Sequence, residues 1–201
     1  MPELNYQRTV LAYHGCDASV VAGVLVRGQR LATSENAYDW LGRGIYFWEH
    51  GPQRALEWAE QQARIFRRIK KPSVLGAFIQ LGHCFDLLDT ANTKLLAEMF
   101  PLYCDFCRKQ GIEIPRNRSA RAVQPDDWLL RYLDCAMLNW CFDVLEAEGR
   151  GHFHTVRSAF VEGMPAFPGS RIMARSHIQI AVRDDAAVVG YFKPNIDKPQ
   201  D

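Results

Sequence analysis

Eleven residues, Trp40 to His50 (WLGRGIYFWEH), constrain the fold of this chain more than any other stretch. They combine two glycines, Gly42 and Gly44, with three consecutive aromatic residues at positions 46–48. Glycine packs no side chain and loses much conformational entropy on folding, so it is suited to places where another group approaches the backbone closely. The stretch therefore predicts a short aromatic strand, GIYFWE, preceded by a glycine-containing segment that leaves room for a neighbouring group.

Composition and charge limit the classes of protein to consider. A chain of 201 residues with 48% hydrophobic residues suffices for one sizeable core. The net charge of +1 excludes the strong basic bias of a dedicated nucleic-acid coat protein. No apolar run approaches the roughly 20 residues that cross a bilayer, and no basic, then apolar, leader is visible. We therefore expect a cytoplasmic protein without a membrane partner, whose six cysteines are reduced.

Short apolar runs alternate with longer amphipathic ones in the first part of the chain. Glycine and proline mark the boundaries: Gly28 ends a helix and Pro52 opens the next one. In that second helix the apolar residues at positions 55, 58, 59, 63 and 66 predict an inward face. The predicted elements are strand 8–15, helix 18–28, strand 44–49, helix 52–71 and strand 73–82.

The later part of the chain is predicted to be mostly helical and then to return to strands. Two amphipathic runs between about residues 90 and 148 predict helices joined by a polar, arginine-bearing segment. Residues 176–184 and 186–192 predict a β-hairpin around Asp184 and Asp185. This order indicates an α+β fold, a single domain over residues 1–201 with a helical insertion at about residues 88–150.

Cysteines and histidines do not predict a metal site. Cys104 and Cys107 form a CxxC pair, but five residues separate Cys135 from Cys141, whereas a zinc ribbon needs two tight pairs. Cysteine inside an amphipathic run behaves as a small apolar residue. The two histidines of GHFH, residues 151–154, have no acidic residue at a fixed spacing and are interpreted as loop residues.

Two basic runs raise the possibility of nucleic-acid contact. Residues 64–71 (RIFRRIKK) and 116–121 (RNRSAR) could meet phosphates. Lysine and arginine also collect at helix C-termini, where they offset the negative end of the helix dipole. Without an accompanying nucleic-acid motif, solvated helix surface is the favoured interpretation. The chain also contains no nucleophile elbow, phosphate loop or Rossmann glycine fingerprint.

Three short pieces at strand positions together resemble the ADP-ribosyltransferase superfamily. They are YHG at residues 13–15, GRGIYF at residues 42–47 and HIQIAVRD at residues 177–184. The resemblance is to the branch of diphtheria toxin and the poly(ADP-ribose) polymerases, whose signature is a His, a Tyr and a final Glu on three strands. It covers about residues 8–82 and 150–193 and implies a split, mostly antiparallel sheet that binds NAD as a substrate.

The resemblance implies roles for the first two pieces. His14 would hydrogen-bond the adenine-side ribose of NAD, and the backbone of Gly15 would bond the nicotinamide amide. Tyr46 would stack on the nicotinamide ring and hold the leaving group in one orientation. Gly44, with Gly42, would let the chain approach the ligand closely. For Tyr13 two roles stay open, a second face for the ring or a place in the core.

The third piece departs from the family pattern. The position of the final glutamate falls on Gln179, whose amide can exchange hydrogen bonds with a ribose hydroxyl but carries no charge. Two carboxylates are candidates to make up the deficit. Glu162 lies in AFVEGMPAFPGS, where the family keeps its substrate-recognition loop, and Glu49 directly follows the aromatic strand. For both residues a surface position is the alternative, and for Glu49 it is the favoured one.

The resemblance thus implies a mono-ADP-ribosyltransferase that cleaves the nicotinamide–ribose bond of NAD, through a state related to that of glycosidases. The acceptor would be a macromolecule, either protein or nucleic acid. Family habit suggests a bacterial toxin or defence effector, with an antitoxin or inhibitor protein as a further partner. Two alternatives stay open: a degenerate module that binds NAD or ADP-ribose without turnover, and an NAD glycohydrolase. No metal is expected in any of these.

Overall fold

A computed structural model describes residues 5–119 and 128–196, and shows a mixed α/β protein with a six-stranded, mostly antiparallel sheet. The strands are β1 (Asn5–Asp17), β2 (Ile45–Glu49), β3 (Pro72–Asp86), β4 (Thr155–Phe160), β5 (His177–Val182) and β6 (Val188–Phe192). The helices are α1 (Ala18–Arg27), α2 (Pro52–Arg64), α3 (Thr90–Gln110) and α4 (Tyr132–Ala147). A short 3₁₀ turn, Asp185–Ala187, precedes β6.

Backbone pairing closes the first five strands into a ring. The order is β1-β2-β5-β4-β3, β1 also pairs with β3, and β6 lies against β3. Every pairing is antiparallel except that of β3 with β4. The ring is weakest between β1 and β2, where only Ala12–Glu49 and Tyr13–Trp48 are paired. From His14 onward in β1, and from Phe47 back towards Ile45 in β2, the two strands are no longer paired and separate.

The two N-terminal helices begin where the sequence predicts, and one ends earlier. Asp17 caps α1 by accepting a hydrogen bond from the Ser19 N–H, and Gly28 ends it in the left-handed conformation. Helix α2 was predicted to reach residue 71, but it ends at Arg64. The backbone N–H groups of Lys70 and Lys71 instead bond to the Asp17 carboxylate, which holds this segment across from α1.

The predicted inward face of α2 is correct for two of its residues. Ala55 and Ala59 are fully buried, and small side chains at these positions let the helix approach the sheet closely. Phe66 was predicted on the same face, but it lies beyond the helix end and is 45% exposed. The helical period therefore stops applying at residue 65.

The predicted helical segment contains α3 and α4, which pack on each other and on one side of the sheet. Their contact is a buried apolar cluster that also includes sheet residues Phe85, Val156 and Ala181. Asp89 caps α3 through the Ala91 N–H, and Gly111 ends it in the left-handed conformation. No helix among the described residues is long and apolar enough to cross a membrane.

The C-terminal hairpin prediction is wrong. Residues 177–182 and 188–192 are both strands, but β5 pairs with β2 and β4, and β6 pairs with β3. The strand β4 was not predicted, since residues 155–160 show no alternation of apolar and polar side chains and are almost entirely buried. As a result, β5 is a central strand, and its residues lie between two neighbours.

Candidate functional site

A cleft opens where β1 and β2 separate. It has a volume of about 490 Å³, within the usual range for small-molecule sites. Its walls combine aromatic rings with many polar side chains, contributed by β1, β2, β5, helix α2, the segment 32–40 and neighbouring loops. A second depression of about 580 Å³ lies on α2, but its lining is largely charged and contains no aromatic side chain. The cleft is therefore the candidate site.

His14 lies at the point of separation and bridges the two strands. Its Nδ1 lies 2.8 Å from the carbonyl oxygen of Tyr46, which only accepts, so Nδ1 carries the proton and donates. Burial lowers the pKa of His14, partly opposed by this hydrogen bond. The neutral ring therefore has a lone pair on Nε2 with which it can accept a hydrogen bond.

Tyr46 presents a fixed ring to the cleft. Its hydroxyl donates to the Gly42 carbonyl at 2.8 Å and accepts from the Leu41 N–H at 2.9 Å. Burial, together with the nearby carboxylate of Asp39, raises the pKa of the Tyr46 hydroxyl well above its usual value. The ring packs partly on the helical core cluster and partly lines the cleft. Both ends of the side chain are thus held.

Gln179 lies on β5 and lines the cleft. In the sheet register it lies between Trp48 of β2 and Ser158 of β4. Its Oε1 accepts a hydrogen bond of 2.5 Å from the indole Nε1–H of Trp40. Since an indole nitrogen only donates, the oxygen of the amide must face Trp40.

Glu162 is not a surface residue, because its side chain is only 6% exposed. Both of its oxygens accept from Nη2 of Arg54, at 3.0 and 2.8 Å. Arg54 belongs to α2, so the pair connects that helix to the segment after β4. The positive charge of Arg54 offsets the negative charge of Glu162 at the cleft wall.

Three buried polar atoms beside this ion pair have no hydrogen-bond partner among the described residues. They are Nε1 of Trp48, Nε of Arg54 and Nε2 of His177. Nδ1 of His177 donates to the Arg175 carbonyl at 2.7 Å, and burial lowers the pKa of His177. Buried polar groups are usually hydrogen-bonded in folded proteins, so such a cluster marks a place that is not optimised for stability alone.

Four of the residues proposed from the sequence lie outside the cleft lining: Tyr13, Gly42, Gly44 and Glu49. Tyr13 packs edge-on against Phe192 at 6.1 Å and belongs to the core on that side, which decides between its two open roles. Glu49 is buried in an ion pair with Arg157 rather than exposed. A Cβ on Gly44 would lie 2.9 Å from the carbonyl oxygen of Val182, so the close approach there is to strand β5.

The remaining two glycines are also explained by packing. A Cβ on Gly15, which lines the cleft, would collide with the carbonyl oxygen of Ala55, so α2 needs a glycine here. Gly42 has a positive φ of 79°, and its Cβ would lie 2.6 Å from Oδ1 of Asn139. The room left by these glycines is filled by protein, and the roles expected for them towards a ligand stay predictions.

Sequence reasoning missed several side chains of the cleft wall. Trp58 was predicted on the inward face of α2, but it lies beside Gly15 and lines the cleft. Trp40, Arg54 and His177 line it as well, and nothing in their local sequence indicates this. Only the folding of α2 and the segment 32–40 towards the split sheet brings them together.

No group of three histidine, cysteine or acidic side chains that could hold a metal ion occurs within residues 5–119 and 128–196. The four cysteines at positions 104, 107, 135 and 141 are free. The basic segment 116–121 falls partly outside the described residues. No family model, no curated protein and no solved structure matches this chain.

Proposed function

We propose that this protein binds NAD in the cleft and transfers its ADP-ribose group to a macromolecular acceptor. One observation carries the proposal: His14, Tyr46 and Gln179, far apart in sequence, line one cleft at the opening of a split sheet. The ring of strands is compatible with the ADP-ribosyltransferase fold that the three sequence pieces resemble. Transfer of a single ADP-ribose unit is the favoured outcome, because Gln179 replaces the glutamate that the resemblance expects.

His14 is suited to bind a ribose of NAD. With Nδ1–H donating to the Tyr46 carbonyl, Nε2 is the acceptor for a ribose hydroxyl. The same hydrogen bond fixes the ring plane relative to Tyr46. The ribose and the aromatic wall are therefore positioned by one bridge across the split.

Tyr46 and Trp58 are suited to bind the nicotinamide ring. The Tyr46 hydroxyl is held at both sides, so its ring offers a preorganised stacking surface. Trp58 lies beside Gly15 and lines the same cleft, so it takes the role of second face that the sequence suggested for Tyr13. A ring held in this way leaves in a set direction when its bond to the ribose breaks.

Cleavage of NAD requires no general acid, because nicotinamide leaves as a neutral molecule. The bond from ribose C1 to the nicotinamide nitrogen breaks, and its electron pair leaves with neutral nicotinamide. The acceptor then bonds to C1 and gives its proton to solvent water. Gln179 positions a ribose oxygen, and Glu162 contributes by holding Arg54 at the wall, where its charge is offset.

A second candidate function is NAD binding without turnover. The observation that favours it is the state of the two carboxylates in the cleft lining. Asp39 accepts hydrogen bonds from the backbone and side chain of Asn36, and Glu162 is bound to Arg54. Neither carboxylate is held ready to stabilise a developing positive charge.

Release of nicotinamide from NAD by the purified protein tests both candidates. We expect release that is lost in Tyr46→Ala and kept in Tyr191→Ala, a matched change at a half-buried tyrosine outside the cleft lining. Saturable NAD binding without release would favour the binding module, and absence of binding would refute both. Free ADP-ribose as the main product would indicate a glycohydrolase, whereas labelled lysate protein or nucleic acid would identify the acceptor.

A further inference from the structure

Trp40 determines which atom of Gln179 faces the cleft. Its indole Nε1–H lies 2.5 Å from Oε1 of Gln179, across 139 positions of sequence. The amide of glutamine has one accepting and one donating end, so binding the oxygen turns the NH₂ group away from Trp40. Gln179 and Trp40 both line the cleft. The NH₂ group is thus the part of the amide left to meet a ligand.

The indole itself is held firmly. Its ring packs on Phe160 with a centroid distance of 4.7 Å, and the guanidinium of Arg131 lies 6.0 Å from the ring centroid. Arg131 is in turn bound to Asp134 at 2.8 Å. These contacts restrict the position of the indole N–H and hence the rotation of the Gln179 amide.

We propose that Trp40 is a positioning residue that makes Gln179 a hydrogen-bond donor to an oxygen of the ligand, rather than an acceptor. The proposal rests on the proposed function for the identity of the ligand, NAD. It also explains how glutamine serves at a position where the resemblance expects glutamate. The amide of Gln179 donates an N–H to a ribose oxygen, whereas a carboxylate would accept a hydrogen bond from the ribose hydroxyl.

The asymmetry of the amide provides a test that separates positioning from packing. As a single substitution, Trp40→Phe keeps an aromatic ring but frees the Gln179 amide to rotate. NAD affinity should then fall about fivefold, which corresponds to the loss of one net hydrogen bond. In a Gln179→Glu background both oxygens are acceptors and rotation changes nothing. There the same substitution should change NAD affinity by less than about twofold.

The matched control is Trp128→Phe, since Trp128 is 58% exposed and outside the cleft lining. It should leave NAD affinity unchanged in both backgrounds, as measured by calorimetry. Equal losses for Trp40→Phe in the two backgrounds would mean that Trp40 acts through packing only, and would overturn the proposal.

A measurement on the ligand-free protein separates this proposal from the proposed function. Nitrogen-15 NMR should show the Trp40 indole N–H exchanging more slowly than that of Trp128, and Gln179→Leu should remove the difference. An indole of Trp40 that exchanges as fast as that of Trp128 would overturn the hydrogen bond itself. A protected indole in a protein that does not bind NAD would leave the hydrogen bond in place and refute the ligand assignment and the proposed function.

Discussion

Arg157 and Arg54 both bind carboxylates, and the surroundings of the two ion pairs differ. Arg157 of β4 binds Glu49 through Nε and Nη2, at 2.5 and 3.1 Å, and Asp86 through Nη1 at 2.9 Å. Arg8 adds a further contact to Glu49 at 3.3 Å. None of these side chains has a buried unpaired polar atom within the described part of the chain. This network joins β2, β3 and β4 and is fully satisfied.

The hydrogen bonding of Arg54 and Glu162 at the cleft wall is less complete than that of the Arg157 network. The guanidinium uses Nη2 for both carboxylate oxygens, and its Nε is among the three unpaired atoms beside the cleft. Burial of both side chains is similar to that of the first network. The difference lies in hydrogen bonding: the Arg157 network is complete, whereas the Arg54 pair leaves a buried N–H without a partner among the described residues.

The largest effect is expected from breaking the Arg157 network. Arg157→Met should leave Asp86 buried without a counter-charge and Glu49 with only its long contact to the exposed Arg8, lowering the free energy of unfolding by about 3–5 kcal/mol. Urea denaturation followed by circular dichroism measures this. Adding Glu49→Gln and Asp86→Asn should recover part of the loss, since the stranded charges are removed. A loss below about 1 kcal/mol would contradict a structural role for the network.

A smaller effect is expected at the cleft wall. Arg54→Met should lower the free energy of unfolding by about 2 kcal/mol, because the carboxylate left behind borders a cleft and can be hydrated. The matched change Glu162→Gln, which keeps an acceptor for Arg54, should cost less. Urea denaturation of both variants compares them with Arg157→Met. If Arg54→Met were as damaging as Arg157→Met, the distinction between the two ion pairs would fail.

The pH dependence of stability sharpens the comparison further. Burial lowers the pKa of His177, the nearby Arg54 lowers it further, and Glu162 raises it. Burial also lowers the pKa of His14. Because the unfolded chain then binds more protons than the native state, stability should decrease as the pH falls below about 6.5, the ordinary histidine value.

Denaturation at pH 7.5 and 5.5 checks this expectation. His177→Phe should reduce the difference between the two pH values, because one group that must stay neutral in the folded state is gone. His154→Phe would not serve as the control, because Nδ1 of His154 accepts a hydrogen bond from the His83 N–H that phenylalanine could not replace. His50, an exposed residue outside the cleft lining, provides the control through His50→Asn. An unchanged pH dependence in His177→Phe would show that His177 does not couple protonation to folding.

The smallest effect is expected at the edge of the Arg157 network. The side chain of Arg8 is 57% exposed, and its contact with Glu49 is long at 3.3 Å. Arg8→Met should therefore change the free energy of unfolding by less than about 1 kcal/mol, as measured in the same urea titrations. A loss comparable to that of Arg157→Met would mean that the counter-charge of Glu49 is shared between both arginines.

Much of the local structure was predictable from short-range signals. Gly28 and Pro52 mark helix boundaries because left-handed φ and a missing N–H are local properties of the residue. The end of α2 was not predictable in this way. The residues that follow Arg64 continue the amphipathic pattern of the helix, but the chain turns at Arg67, which has a φ of 54°. Long-range bonds of Lys70 and Lys71 to Asp17 stabilise that turn.

Strand pairing could not be read from local pattern either. Residues 177–182 and 188–192 have the spacing of a hairpin, yet β5 pairs with β2 and β4, and β6 pairs with β3. The alternation of side chains along a strand says which face is buried, but not which strand lies beside it. For the same reason β4, buried on both faces, carried no alternation to detect.

The sequence by itself determined the chemistry of the candidate site: a histidine before a glycine, an aromatic strand and a glutamine on a later strand. Tertiary structure alone decided how these groups are used. It paired Glu162 with Arg54, moved Tyr13 into the core, and set Trp40 against the oxygen of Gln179. Residue identity fixes which atoms can donate or accept, whereas partner choice depends on distances that only the assembled ring of strands and its helices establish.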